Sequence, residues 1–267
     1  MEPTYLLVGG DRRQFWLSRL LVPRGRVFTL SVPGLEDQRP TGPVDVLILP
    51  TPCMDGAGLL RRSGEGMDTG ELRGYYDAHT RIYGGALPAD LNKKLPGSGW
   101  ITDLLADPAV AAANGRLTAE AALALSAEHL EGSLFDLPCL VLGYGRIGKP
   151  LAALLAAHHA KLTVTARRPG VRAEAEQLGY ETRDFPELSG SWAVVFNTVP
   201  EQTLSQSALS ALERDCLWVE LASAPGGLPS GCSPAFRVLT ANSLPGRRLP
   251  RSAASVLLAG IMRREAC

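Results

Sequence analysis

Gly143, Gly145 and Gly148 carry the spacing G-x-G-x-x-G between an apolar run, Cys139 to Leu142, and an Ala/Leu-rich stretch, Leu151 to Ala157. That order asks for a buried strand, a tight turn and a helix, which together cradle a dinucleotide. Gly143 permits the turn, Gly145 lets a pyrophosphate approach the backbone, and Gly148 lets helix and sheet close up. Tyr144, Arg146 and Ile147 complete the turn. Free N–H groups at the helix start would lie beneath the phosphates. About 20 residues past the glycines, sites that prefer NAD place an acid for the ribose 2′-hydroxyl. This chain has Ala166-Arg167-Arg168-Pro169 there. Two guanidiniums and no acid suit a 2′-phosphate, and so NADP. The alternative is a pair of solvated arginines.

Two further segments fall where a cofactor would pass. Asn197-Thr198-Val199-Pro200 ends an apolar strand, and Pro200 stops the ladder beside the expected ribose. Ala222-Ser223-Ala224-Pro225-Gly226-Gly227 follows the next strand, near the expected nicotinamide, where Ser223 would hold a carboxamide or substrate. An ordinary strand terminus and a plain Pro-Gly turn are the bland alternatives. The histidines are His79, His129, His158 and His159, and none lies beyond residue 159. A D-2-hydroxy-acid dehydrogenase takes its proton-handling histidine from the second half, so that chemistry is disfavoured.

The elements that position these residues alternate between strand and helix. Tyr5–Val8, Val27–Leu30, Val44–Leu49, Arg81–Gly85 and Gly99–Thr102 read as strands of a first parallel sheet, with a helix from Arg12 to Val22. A helix from Thr118 to Leu130, with Thr118 as N-cap and Glu120 in its first turn, is expected to bridge to a second sheet. The expectation is an α/β fold of two Rossmann-like, doubly wound parallel-sheet domains joined by that helix. Residues 1–117 form the substrate side and 118–249 the cofactor side, with a last helix in 250–267 able to pack back on the first. Residues 53–72, with five glycines, read either as a ligand-side loop or as a disordered insertion.

At 267 residues, two domains of ordinary size are expected, and 45% apolar content suffices for two cores. The 27 basic residues balance 27 acidic ones, which gives no reason to invoke nucleic acid or an anionic membrane. The five cysteines lack metal-ligand spacing, and Cys139 and Cys216 fall in apolar strands, as in a reducing cytoplasm. Neither a signal peptide nor a membrane span is read.

With those motifs laid out, the chain resembles the family of dipicolinate synthase A-subunits from spore-forming bacteria. The resemblance rests on Val8-Gly9-Gly10-Asp11-Arg12-Arg13-Gln14, Leu49-Pro50-Thr51-Pro52 with Asp55-Gly56, Gly84-Gly85, and Asn114 with Thr118-Ala119-Glu120. It continues through Leu142 to Gly148, Phe196 to Pro200, Leu221 to Gly227 and Leu244-Pro245-Gly246. The family implies NADP as oxidant and partnership with a flavoprotein-like B subunit. It implies also that a hydroxylated tetrahydrodipicolinate is converted to dipicolinate, a spore constituent. There are departures. Ser243 and Arg247 stand where the family has a glycine and a lysine beside Leu-Pro-Gly, and Arg251-Ser252-Ala253-Ala254 replaces Lys-Thr-Ala-Gly.

A substrate with two carboxylates needs two cationic anchors. Arg12 and Arg13 after Gly9-Gly10, and Arg247 and Arg248 after Leu244-Pro245-Gly246, are the expected pairs; each arginine could instead be solvated. Asp11, Asp55 and Glu120 are the carboxylates to test for proton transfer, unless the partner subunit supplies that group. Alternatives are a shikimate-type NADP dehydrogenase and a non-catalytic NADP-binding regulatory subunit. Against the first, Lys93 and Lys94 are the only lysines before the glycine turn, and their adjacency suits a surface helix. A homo-oligomer is also open.

Overall fold

The computed structural model describes residues 2–185, 191–231 and 234–266. Internal contacts divide the chain into one unit of Met1–Asn114 with Pro245–Cys267 and another of Gly115–Leu244.

In the first unit, β1 (Thr4–Val8), α1 (Arg12–Leu21), β2 (Arg26–Leu30), β3 (Val46–Ile48), β4 (Arg81–Gly84), the short α2 (Leu91–Lys94) and β5 (Ile101–Asp103) succeed one another. The sheet order is β2-β1-β3-β4-β5, and every pairing is parallel. This is one of the two common doubly wound orders, with its switch point between β1 and β3. Strand alternation sorts the core. Tyr5, Leu7, Val46 and Ile48 pack with Leu17 and Leu21 of α1 and with Ala254, Leu257, Leu258 and Ile261 of the last helix. Leu6, Val8, Leu47 and Ile82 pack with Cys53, Leu60, Met67 and Leu72.

Residues 53–72 are therefore not a disordered insertion. Leu60 bridges antiparallel to both Met54 and Met67, and its side chain is fully buried. The segment covers the sheet face with Leu60, Met67 and Leu72, residues too irregularly spaced to be read as a helix.

The expected helix start at Thr118 is corrected. α3 runs from Pro108 to Ala127, so Thr118 and Glu120 lie in its middle. The start signal is Asp107, whose Oδ1 accepts from the N–H of Ala109 at 2.8 Å, followed by Pro108 at the first helical position. The alanines after it carry the helix through Asn114-Gly115. The boundary expected between residues 117 and 118 thus falls inside one continuous helix.

The second unit continues with β6 (Pro138–Leu142), α4 (Gly148–Ala157), β7 (Lys161–Thr165), α5 (Pro169–Gln177), β8 (Glu181–Arg183), β9 (Val194–Asn197), α6 (Gln206–Ser210), β10 (Leu217–Glu220) and β11 (Arg237–Thr240). Its six strands pair in the order β11-β10-β9-β6-β7-β8, again all parallel. Counted from β6, this is the full dinucleotide-binding order, with its switch point between β6 and β9. Strand β6, and β9 up to Asn197, are apolar because both of their faces are covered. One face buries Leu140, Leu142, Val195 and Trp218 with Leu209 and Phe236. The chain closes with α7 (Leu244–Arg248) and α8 (Pro250–Glu265). α8 lies along α1, and Tyr83 Oη donates to Glu265 Oε1 at 2.6 Å near its end.

Among the described residues, no helix is long and apolar enough to cross a membrane, and no three His, Cys, Asp or Glu side chains gather as a metal site.

Candidate functional site

The glycine turn closes β6 onto α4. Gly143 has φ +93°, a left-handed conformation that L side chains rarely adopt, and a β-carbon there would lie 2.6 Å from Thr198 Oγ1. A β-carbon on Gly148 would run into the carbonyl oxygen of Gly143. Gly145 is different. It is exposed, and a β-carbon on it would meet nothing within 4 Å. α4 has no side-chain cap at its N-terminus. The turn is thus packed on both sides and open in the middle, where the backbone before α4 is accessible.

The equivalent turn of the first unit is shut. Arg61 places its carbonyl oxygen where a β-carbon of Gly9 would be and accepts from the Gly10 N–H at 2.6 Å. Asp11 caps α1 by accepting from the Arg13 N–H at 2.9 Å. Gln14 donates to the Val8 and Ile48 carbonyls, both at 3.2 Å, and fills the switch point of that sheet. Of the two glycine turns that follow β1 and β6, the second alone is open among the described residues.

Around the open turn, Tyr144 is buried edge-on against Tyr180 at 6.5 Å between ring centroids, and burial raises its phenol pKa. Arg146 is exposed and Ile147 half-buried. Ala166 is buried at the end of β7, while Arg168 is exposed at the start of α5. Arg167 Nη2 pairs with Glu201 Oε1 at 2.7 Å, with 61% and 53% of the side chains exposed. Arg172, which sequence reasoning passed over, donates to the Ala166 carbonyl at 2.6 Å and braces this corner. Gly115, also missed, lets α3 lie against the backbone at Arg146.

Asn197 is fully buried, and Thr198 Oγ1 donates to the Leu142 carbonyl at 2.8 Å, tying the end of β9 to the glycine turn. The Val199 N–H donates to Asn197 Oδ1 at 3.2 Å, which turns the chain into Pro200. Ala222 is buried, and Ser223 stands exposed on the following loop, closed by the Gly226 N–H on the Ser223 carbonyl at 3.0 Å.

In the first unit the scattered motifs converge. Arg13 is 5% exposed and pairs with Asp11 at 2.7 Å, while its Nη2 also donates to the Thr51 carbonyl. Gly85 packs on Thr51, and Gly246 seats directly on Asp11 and Arg13. The segments bearing Arg12 and Arg247 are held together through that contact. Arg12, Arg247 and Arg248 are exposed, and Glu120 is exposed on α3. Arg13 and Asp11 are occupied with each other, and Asp55 Oδ1 is occupied by the N–H groups of Ala57 and Leu59 at 2.9 and 3.0 Å. Lys93 is exposed, and Lys94 Nζ donates to the Gly58 carbonyl at 3.4 Å.

Fold and turn together define the class: an α/β architecture of two all-parallel, doubly wound sheets, with an open glycine turn after the first strand of the second. The transhydrogenase of Sinorhizobium meliloti shares this fold at a TM-score of 0.67 and 12% identity, over 97% of this chain and 91% of that one. No protein-family model matches the chain.

More particularly, the chain is similar along its whole length to the A subunit of dipicolinate synthase. It is 26% identical to that protein of Bacillus subtilis over 272 aligned positions, covering 94% of this chain and 92% of the relative. The crystal structure of the Bacillus subtilis protein superposes with a TM-score of 0.82 at 25% identity, over 99% of this chain and 97% of that one. Its counterpart from Bacillus halodurans gives 0.85 at 22% identity, over 98% and 97%. The resemblance first seen in the motifs thus holds in sequence and in fold.

The departure at Ser243 has a local cost. Its φ is +56°, a left-handed conformation that a glycine adopts freely and an L side chain does not.

Proposed function

We propose that the chain is an NADP-dependent oxidoreductase that acts on a small cyclic dicarboxylate as the A-subunit of a dipicolinate synthase. It would work in the cytoplasm during spore formation, with a flavoprotein-like B subunit. The observation that carries the reading is the room at Gly145 inside a turn that is otherwise closely packed. Gly143 to Ile147 would hold the pyrophosphate, and Ala166 would lie beneath the adenosine ribose. Arg167 and Arg168 would fork onto the 2′-phosphate. Asn197 to Pro200, with Ala222 and Ser223, would meet the nicotinamide ribose and carboxamide. When bound, the nicotinamide supplies the hydride acceptor.

Arg12 and one of Arg247 or Arg248 would clamp the two carboxylates. Arg13 and Asp11 serve that clamp by fixing the two segments on which it stands. Loss of hydride brings the substrate ring to aromaticity, so the chain's own task is to orient and to exclude water.

The test is turnover of NADP with a tetrahydrodipicolinate-type substrate, with and without the partner subunit, followed by the ultraviolet absorbance of a pyridine dicarboxylate. Arg12→Ala, Arg247→Ala and Arg248→Ala are expected to raise KM or abolish turnover with NADPH binding intact. Unchanged kinetics in all three would remove the clamp, and cofactor binding without turnover in any combination would leave a regulatory subunit.

A further inference from the structure

Glu220 is the last residue of β10, and its carboxylate gathers four donors. Oε1 accepts from Asn197 Nδ2 at 2.7 Å and from the Ala222 N–H at 3.0 Å. Oε2 accepts from Trp218 Nε1 at 3.1 Å and from the Gly227 N–H at 3.0 Å. The donors come from the end of β9, from β10 itself and from both ends of the loop that carries Ser223. Asn197 and Trp218 are both 0% exposed. A β-carbon on Gly227 would lie 2.5 Å from Asn197 Nδ2, so the loop is drawn tight against the strand end. Asn197 passes the order on, since its Nδ2 also donates to the Val199 carbonyl at 3.0 Å.

Four donors aimed at two oxygens call for an acceptor-only group. A carboxylate is one, whereas an amide of the same shape sets its NH₂ against two N–H groups whichever way it turns.

We infer that Glu220 is the positioning residue for the nicotinamide end of the site. Its charge, and not merely its shape, holds Asn197–Pro200 and Ala222–Gly227 in one arrangement. The inference rests on the NADP reading above and adds that the ring end of the cofactor has a support of its own besides the glycine turn. Gly143 to Gly148 and the Arg167-Arg168 pair hold the phosphates, while Glu220 fixes the walls around the ring.

The experiment compares wild type, Glu220→Gln and Glu220→Asp with two probes. Adenosine 2′,5′-bisphosphate reports the phosphate end alone, and the emission of bound NADPH reports the environment of its ring. All three proteins are expected to bind adenosine 2′,5′-bisphosphate within about threefold of one another. Wild type is expected to bind NADPH with enhanced, blue-shifted emission. Glu220→Gln should lose most of that enhancement and weaken NADPH by about tenfold relative to the bisphosphate. Glu220→Asp, acceptor-only but one methylene shorter, should fall between. Emission in Glu220→Gln equal to wild type, or better kept than in Glu220→Asp, overturns the inference. If Glu220→Gln does not fold, Glu220→Asp decides: partial loss of emission with bisphosphate binding intact supports it, and full wild-type emission overturns it. A wild type that binds neither probe overturns the cofactor reading, and this inference with it.

Discussion

Gly148 lies against the carbonyl oxygen of Gly143, so close that a β-carbon on Gly148 would overlap it, whereas Gly145 between them faces open space. Alanine at the two positions should therefore have opposite consequences. Gly148→Ala overpacks the helix–strand contact and should lower unfolding free energy by about 1–3 kcal/mol. Gly145→Ala should leave stability within about 0.5 kcal/mol of wild type but raise the Kd for NADPH about tenfold or more. Urea unfolding and cofactor titration on both variants check this; equal NADPH affinity in Gly145→Ala and wild type would contradict it.

If Arg167 receives a 2′-phosphate as proposed, Glu201, paired with it at 2.7 Å, competes for the same guanidinium. Because both side chains are more than half exposed, the pair itself is worth less than about 1 kcal/mol. Glu201→Gln should accordingly tighten NADPH only a few-fold. Replacing both Arg167 and Arg168 by Ala should lower the preference for NADPH over NADH at least about tenfold. An unchanged NADPH/NADH ratio in the double variant would assign these arginines to solvent.

Ser243 carries its left-handed backbone without the freedom of glycine. Ser243→Gly should relieve about 1–2 kcal/mol of strain and lose about 0.5–1 kcal/mol to chain entropy, a small net gain. Ser243→Val should destabilise by more than about 1 kcal/mol. Thermal melts of the two variants moving in the same direction would contradict the strain.

The parts of this molecule that were legible in the sequence are those whose requirement is local. A strand buried on both faces has to be an apolar run, as Cys139–Leu142 and Val194–Phe196 are, and the turn after it has to carry glycine where backbones touch. The start of α3 was less legible, because Asn114-Gly115 looks like a break until Asp107 and Pro108 are recognised as the start. Residues 53–72 could not be placed from pattern, since Leu60, Met67 and Leu72 follow no period and are ordered only by the sheet face they cover. Glu220 was hidden for a related reason. A carboxylate at a strand end reads as a solvated charge, and its partner Asn197 is remote in sequence.

Cys53, Cys139 and Cys216 are free thiols, and burial pushes each up from 9.0 to about 12. In the folded chain they stay protonated where the unfolded chain ionises. Their contribution to stability is complete below pH 9.0 and is lost as pH rises towards about 12. The loss approaches roughly 1.4 kcal/mol per thiol for each pH unit in that window. The Tm should thus fall steeply above pH 9.0. At pH 8 iodoacetamide should modify these thiols only in urea, as read by peptide mass mapping. Alkylation of Cys139 at equal rates in the folded and unfolded protein would contradict the burial.

Equilibrium titration of the purified protein with NADPH tests the cofactor site most directly. Saturable binding at one site per chain is expected, competed by adenosine 2′,5′-bisphosphate, weaker for NADH, and weakened about tenfold or more in Gly145→Ala. A protein that shows no NADPH binding at millimolar ligand, or binds NADH and NADPH alike through a turn insensitive to Gly145, would contradict it.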